Sequence, residues 1–105
     1  MERYAWIGKI REGQISLYEK RHREIWPEMI KALKEAGICN YSIWRTEYTV
    51  FGYYECEKGI DYAVKIQKEN PVVAKWEESM KDIMDMNFDS ETDFQPKLSE
   101  IFYMK

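Results

Sequence analysis

Two side chains suited to proton transfer stand one helical turn apart in the stretch from Tyr18 to Pro27. His22 is the only histidine among the 105 residues, and histidine is the side chain whose unperturbed pKa lies nearest neutral pH. Tyr18 precedes it by four residues, a spacing that stacks two side chains on one face of a helix. The pair could move protons on a substrate. Taken alone, the stretch favours a simpler interpretation, in which both side chains are packed inside the protein with one hydrogen bond each.

A broken helix is predicted to position this pair. Residues 13–24 have helical periodicity, and the pair falls on their apolar face. Pro27 cannot continue a helix with its hydrogen bonds intact, but it is favourable as the first residue of a new one. We therefore predict a break just before this proline and a second helix over residues 27–36, which ends at Gly37.

The remaining elements follow from two kinds of pattern. Alternating side chains predict strands over residues 3–10, 39–46, 50–56 and 98–104. Helical periodicity, interrupted at Asn70-Pro71, predicts helices over residues 60–69 and 71–84. The polar stretch 85–96 has no period and is predicted to be a long connection, a kind of segment that often has a function.

The second and third strands are predicted to form a hairpin with its tip at residues 47–48. A symmetric turn at this tip predicts two cross-strand pairs, Cys39 with Cys56 and Tyr41 with Tyr54. The whole order of elements is βαββαβ with both helices broken. It predicts an α+β, ferredoxin-like fold, an antiparallel sheet with helices on one face. The other face carries many aromatic residues, and a second copy packed sheet to sheet would cover it as a dimeric α+β barrel.

Composition fits a single domain over residues 1–105 and argues against several classes of protein. A net charge of −3 without a basic stripe argues against a nucleic-acid partner. No apolar run approaches the ~20 residues that a membrane-spanning helix needs. The N-terminal residues lack a signal-peptide pattern, so a cytoplasmic location is expected. Cys39 and Cys56 with one histidine are too few ligands for a zinc site, and both are expected to be free thiols.

The pattern around these residues resembles the L-rhamnose mutarotase family, and the resemblance extends over essentially the whole chain. The stretches that carry it are Tyr18–Glu28, Gly37–Ile43, Trp76–Met84 and Glu100–Tyr103. The resemblance implies a dimeric α+β barrel that interconverts the α and β anomers of L-rhamnopyranose without a metal or any other cofactor. The expected partners are therefore a monosaccharide and a second copy of the chain, with no nucleic acid and no membrane.

The resemblance also assigns roles to five residues. The proton-donating histidine of the family falls on His22, and its sugar-binding tyrosines fall on Tyr18 and Tyr41. A pair of adjacent tryptophans falls on Trp76 and Glu77, so a carboxylate replaces a ring that can pack on a sugar. This departure affects which sugar is preferred more than which reaction is catalysed, and L-fucose is a further candidate substrate. With the resemblance included, the catalytic interpretation of the histidine is preferred.

Mutarotation suits these residues because it needs only acid–base chemistry. The sugar ring opens to an aldehyde, the carbonyl rotates and the ring closes on the other face. His22 is expected to protonate the ring oxygen, and Tyr18 is expected to hold the anomeric hydroxyl or shuttle its proton. Trp76 is expected to pack on the apolar face of the sugar. Trp6 and Trp44 could line the same cavity, although packing within the sheet is favoured for both.

Two other functions stay open at this point. A cofactor-independent monooxygenase or a haem-degrading protein can be built on the same barrel, since such sites also combine a histidine with a tryptophan. A non-catalytic dimer that binds a sugar is the second alternative. A haem titration distinguishes the first alternative from a mutarotase, and the rate of anomer exchange distinguishes the second.

Overall fold

The computed structural model describes residues 1–85 and 96–105, and in this part of the chain four strands and four helices form an α+β structure. The strands are β1 (Glu2–Ile10), β2 (Ile38–Thr46), β3 (Thr49–Cys56) and β4 (Met84–Asp85). The helices are α1 (Ile15–Arg23), α2 (Pro27–Glu35), α3 (Ile60–Glu69) and α4 (Pro71–Met80). The long connection predicted over residues 85–96 lies outside the described residues except for its two ends.

The strands form one antiparallel sheet in the order β2-β3-β1-β4, which is the order of a ferredoxin-like chain. The helices cover one face of this sheet. On that inner face Tyr4, Trp6 and Tyr54 are buried in a core shared with Ala63 of α3 and Trp76 of α4. The predicted fold class is therefore confirmed.

Prolines and a glycine divide the helices as predicted. Pro27 and Pro71 are the first residues of α2 and α4. Trp26 before the first proline is extended, with φ −64° and ψ 137°, because a following proline disfavours helical backbone. Asn70 before the second accepts a hydrogen bond from the first turn of α4. Gly37 follows α2 with a φ of +79°, a conformation that glycine adopts without strain.

The hairpin has the predicted register only near its tip. A bulge in β2 shifts the register by one residue, so Cys39 lies opposite Glu55 and the predicted pairing of Cys39 with Cys56 is wrong. The predicted ladder pair of Tyr41 and Tyr54 is also absent, because Tyr41 lies within the bulge. Their rings nevertheless contact each other, with centroids 4.9 Å apart.

Asn40 allows the bulge to form. Its φ is +49°, a left-handed conformation that asparagine tolerates better than most residues. Its side-chain amide donates a hydrogen bond to the Glu55 carboxylate at 2.5 Å. The extra residue keeps the next side chain, Tyr41, on the inner face, where its hydroxyl meets Trp6.

The predicted last strand over residues 98–104 is wrong. β4 pairs instead with the end of β1. Farther along the same edge of β1, a single bridge joins Trp6 to Lys97. The ladder ends with a 2.7 Å hydrogen bond from the Leu98 amide to the Ala5 carbonyl. Beyond it the chain turns toward Arg3, whose guanidinium forms an ion pair with Glu100 and lies 3.5 Å from the ring centre of Tyr103. These contacts replace further strand pairing.

The outer face of the sheet points away from the helices and carries an apolar patch, defined here by Ala5, Trp44, Phe51 and Tyr53, with Arg3 and Glu55 beside it. Trp44 is 70% exposed, so packing within the core does not explain it. Trp6 is 2% exposed on the inner face, where it both packs in the core and lines the cavity. An exposed apolar sheet face is a typical interaction surface.

Candidate active site

A cavity of about 100 Å³ lies between the inner face of the sheet and the helices. It offers several times the ~10–15 Å³ that a single buried water needs. All five residues singled out from the sequence line it: Tyr18, His22, Tyr41, Trp76 and Glu77. The cavity joins α1, β2 and α4, which are far apart in the sequence, so the fold collects these residues in one place.

α1 supplies the tyrosine and the histidine that were singled out for proton transfer. Tyr18 is buried and His22 is half-buried one turn later, with ring centroids 4.3 Å apart and planes inclined by 34°. The His22 Nδ1 atom lies 2.9 Å from the carbonyl oxygen of Tyr18. A carbonyl oxygen only accepts hydrogen bonds, so Nδ1 must carry the proton in this contact. In the neutral ring this leaves Nε2 as the unprotonated nitrogen.

Burial sets the charge of His22. Removal from water lowers its pKa below the ordinary 6.5, against a smaller opposing effect of the hydrogen bond to the Tyr18 carbonyl. The imidazole is therefore neutral at pH 7, and its Nε2 is ready to accept a proton. The sequence predicted a proton donor here. The structure describes a neutral imidazole, which must take up a proton before it can donate one.

The two tyrosines of the cavity stay protonated. Burial raises the pKa of Tyr18 far above its ordinary value, and the nearby Tyr41 raises it further. Burial likewise raises the pKa of Tyr41, although the hydrogen bond that its hydroxyl accepts from Trp6 Nε1 at 3.0 Å opposes this. Both phenols are thus hydroxyl groups that can donate to a ligand and neither is an anionic base.

Trp76 forms an aromatic wall beside the histidine. Its ring meets His22 edge to face with centroids 5.5 Å apart, and it meets Trp26 in the same manner at 5.3 Å. Ser79 donates a 2.6 Å hydrogen bond to the Trp76 carbonyl, and Arg21 of α1 donates to the Ser79 carbonyl at 3.1 Å. These contacts connect α4 to α1 and fix the tryptophan relative to Tyr18 and His22.

Polar residues that the sequence did not single out also line the cavity. Asp85 of β4 joins Glu77 as a second carboxylate, and Gln67 of α3 is buried at the cavity. Neither stands in a motif. A helical-wheel reading of α3 could have placed Gln67 on the buried side, because it lies four residues after the fully buried Ala63. Nothing in the sequence around Asp85 indicates that it reaches the cavity.

Within residues 1–85 and 96–105, no three histidine, cysteine or acidic side chains come together as metal ligands. In the same part of the chain, no helix has the length and apolar character needed to cross a membrane. The polar and aromatic groups that line the cavity are thus a neutral imidazole, two phenols, two indoles, an amide and two carboxylates.

Comparison with known proteins identifies the relatives of this chain. Residues 3–104 match the L-rhamnose mutarotase family. The L-rhamnose mutarotase of a Jannaschia species is 35% identical over 104 residues, 99% of each chain, and that of Oceanobacillus iheyensis is 37% identical over 106 residues, again 99% of each. The crystal structure of an L-rhamnose mutarotase from Formosa agariphila matches with a TM-score of 0.81 at 31% identity, covering 100% of both chains.

Proposed function

Because this chain belongs to the L-rhamnose mutarotase family, we propose that its cavity interconverts the α and β anomers of L-rhamnose or a related 6-deoxyhexose. The protein is then an isomerase that opens and closes a sugar ring. The observation that carries the proposal is the pairing of His22 and Tyr18 on one helix face in the cavity, with Trp76 beside them.

The neutral state of His22 suggests the order of proton transfers. Its Nε2 accepts the proton of the anomeric hydroxyl, the bond between the anomeric carbon and the ring oxygen breaks, and the anomeric oxygen becomes a carbonyl. The resulting imidazolium donates its Nε2 proton to the ring oxygen. Tyr18, protonated throughout, donates a hydrogen bond to the sugar oxygens during this exchange. General acid–base groups of this kind contribute ~10²–10⁴-fold each.

Ring closure reverses these steps. The aldehyde carbonyl rotates about its bond to the neighbouring carbon and presents its other face to the hydroxyl of the opened ring. The hydroxyl attacks the carbonyl carbon, loses its proton to His22, and the new anomeric oxygen takes that proton back. No atom and no electron is gained or lost, so the residues of the cavity suffice for the reaction.

Recognition of the sugar is assigned to the rest of the cavity. Trp76 presents an aromatic surface for the C–H face of a pyranose. Tyr41 offers a hydroxyl, although its oxygen already accepts a hydrogen bond from Trp6. Glu77 offers a carboxylate that accepts hydrogen bonds from sugar hydroxyls. An acceptor at this place favours a sugar with a hydroxyl, rather than only a C–H face, directed at α4.

Saturation-transfer NMR of anomer exchange tests the proposal. L-Rhamnose, L-fucose and D-glucose are each measured with and without protein at neutral pH. Faster exchange of at least one 6-deoxyhexose, with little effect on D-glucose, supports the proposal. If the protein is stabilised by a sugar but accelerates exchange of none, the cavity is a binding site without catalysis and the proposed reaction is wrong.

The proposal includes a homodimer packed sheet to sheet. It is supported by the apolar outer face, on which Trp44 is 70% exposed, and by Ile101 and Phe102 in the terminal segment, which are 97% and 81% exposed. One small chain does not cover these side chains, and a second copy presents a matching apolar surface. A cytoplasmic location is also proposed. Cys39 and Cys56 are both free thiols, as is usual in a reducing compartment.

A further inference from the structure

We propose that Gln67 is a sugar-binding residue that hydrogen-bonds a hydroxyl other than the anomeric one. This inference rests on the proposed function, since it assigns Gln67 a part in recognition of the same sugar. Gln67 lies in the last turn of α3, an element that carries none of the residues assigned so far, and it lines the same cavity as Tyr41 and Trp76.

The burial of Gln67 is the first observation. Among the described residues it is the only buried side chain that is neither apolar nor aromatic, with 6% of its surface exposed. Its amide nitrogen donates a 3.1 Å hydrogen bond to the Ala63 carbonyl one turn earlier in the helix. An amide has two donor hydrogens and an acceptor oxygen, so this bond satisfies only part of it. An apolar side chain of similar length would fill the space without leaving polar atoms to be satisfied.

Tyr54 is the second observation. Its hydroxyl is fully buried and makes no hydrogen bond within the described residues, while its ring stacks on Tyr4 and contacts the cavity residue Tyr41. The Gln67 side chain approaches this hydroxyl as a hydrogen-bonding group, too loosely for a formed bond, and this approach opposes the rise that burial causes in the Tyr54 pKa. A buried amide and a buried hydroxyl without a close partner therefore lie together beside the cavity. Gln67 lines the cavity and Tyr54 does not, so a ligand with several hydroxyl groups would bond to the amide.

The chemistry of its amide limits Gln67 to binding the sugar. Gln67 neither gains nor loses a proton near neutral pH, so it cannot take the place of His22 in ring opening. An amide–hydroxyl bond is present in both anomers and in the open-chain form, because the non-anomeric hydroxyls do not react. Such uniform binding changes KM and leaves kcat nearly constant.

Gln67→Met, which keeps the length of the side chain and removes its polar atoms, tests this role. The matched control is Lys65→Met on the exposed side of the same helix. We expect KM for L-rhamnose to rise about tenfold in Gln67→Met, the effect of one lost hydrogen bond, with kcat within about twofold of the native value. Lys65→Met should match the native protein in both constants.

Substrate analogues identify the hydroxyl. L-Rhamnose analogues that each lack one non-anomeric hydroxyl are measured with the native protein and with Gln67→Met. For one of them the two proteins should have equal KM values, because the group that Gln67 binds is already absent. If every analogue reports the same ratio of KM values as L-rhamnose, Gln67 contacts no particular hydroxyl and the inference is wrong.

Three further outcomes are distinguishable. A lower melting temperature in Gln67→Met with unchanged KM overturns the inference alone and makes Gln67 a structural residue. No acceleration of exchange by the native protein overturns the proposed function and this inference together. If Gln67→Met does not fold, a crystal structure of the native protein with a bound sugar decides. A sugar hydroxyl within about 3.2 Å of the Gln67 amide supports the inference, and its absence overturns it.

Discussion

At the scale of single residues, burial and one hydrogen bond together determine the protonation state and the tautomer of His22. Burial keeps the imidazole neutral, and the hydrogen bond to the Tyr18 carbonyl fixes the proton on Nδ1. Both leave Nε2 as the basic nitrogen. The neighbouring phenol of Tyr18 has a raised pKa and cannot be the base. The division of labour between the two side chains thus follows from burial on one helix face.

The pH dependence of activity should report the lowered pKa of His22. Above that pKa the imidazole is neutral and active, and below it protonation removes the base. We therefore expect the midpoint of the fall in kcat/KM to lie below pH 6.5, the ordinary pKa of histidine. The measurement is the exchange rate from pH 4.5 to 8 in a non-catalytic buffer. A midpoint above 6.5 would contradict the assignment of a buried neutral histidine.

The sequence identified some of the cavity residues directly, others only through resemblance, and missed two. The i, i+4 spacing placed Tyr18 and His22 together, because both lie on one regular helix. Tyr41, Trp76 and Glu77 were reached only through resemblance, since nothing local connects β2 and α4 to α1. Gln67 and Asp85 were missed for the same reason. Their access to the cavity depends on how α3 and β4 pack, which no short pattern encodes.

At the scale of secondary-structure elements, β3 has a glycine beside the cavity wall, because an aromatic ring fills the space that a larger side chain would need. A Cβ atom on Gly52 would lie 2.0 Å from the Trp6 ring, which is held by its hydrogen bond to Tyr41. A Cβ on Gly8 would instead meet the flexible end of Met84 at 3.0 Å and the Trp6 ring at 3.2 Å. Two glycines on neighbouring strands therefore tolerate substitution differently.

Gly52→Ala should destabilise the protein much more than Gly8→Ala. The first substitution forces the Trp6 ring to move, and overpacking of this kind costs about 1–3 kcal/mol or more. The second requires a shift of a few tenths of an ångström at a methionine tip, and we expect less than about 1 kcal/mol. Urea unfolding followed by tryptophan fluorescence measures both. Equal stability of the two variants would show that Trp6 is free to move.

Local signals predicted most elements but not all of their pairings. Pro27, Pro71 and Gly37 punctuate the helices through backbone chemistry that is independent of tertiary structure. The hairpin register failed beyond its tip because Asn40 takes up a left-handed conformation, one of several that asparagine allows. The last strand failed because, beyond Leu98, the terminal segment contacts β1 through the side chain of Arg3, about a hundred residues earlier in the chain, and not through a backbone ladder.

At the scale of the whole molecule, the two faces of the sheet differ. The inner face carries the cavity, and the outer face carries the apolar patch that includes the exposed Trp44. The number of aromatic residues already suggested that one copy of the chain has more ring surface than its own core needs. Strand alternation determines which rings lie on the outer face. What covers that face has to be measured.

Trp44→Lys should dissociate the proposed homodimer. Trp44 is largely exposed in one copy, so the substitution should change the stability of the isolated chain by no more than about 0.5 kcal/mol, while it places a charge in a sheet-to-sheet interface. Sedimentation should give twice the chain mass of 12.7 kDa for the native protein and the chain mass for the variant. Leu17→Lys, an exposed apolar position on α1, is the control and should remain dimeric. A native protein that sediments as a monomer would contradict the dimer.

Saturation-transfer NMR on His22→Ala measures whether His22 moves the proton of the anomeric hydroxyl in this cavity. The exposed Lys20→Ala on the same helix serves as the control. With both variants folded, we expect Lys20→Ala to exchange the L-rhamnose anomers at the native rate and His22→Ala to lose at least ~10²-fold of the acceleration. Anomer exchange at the native rate by His22→Ala would rule out this role of His22.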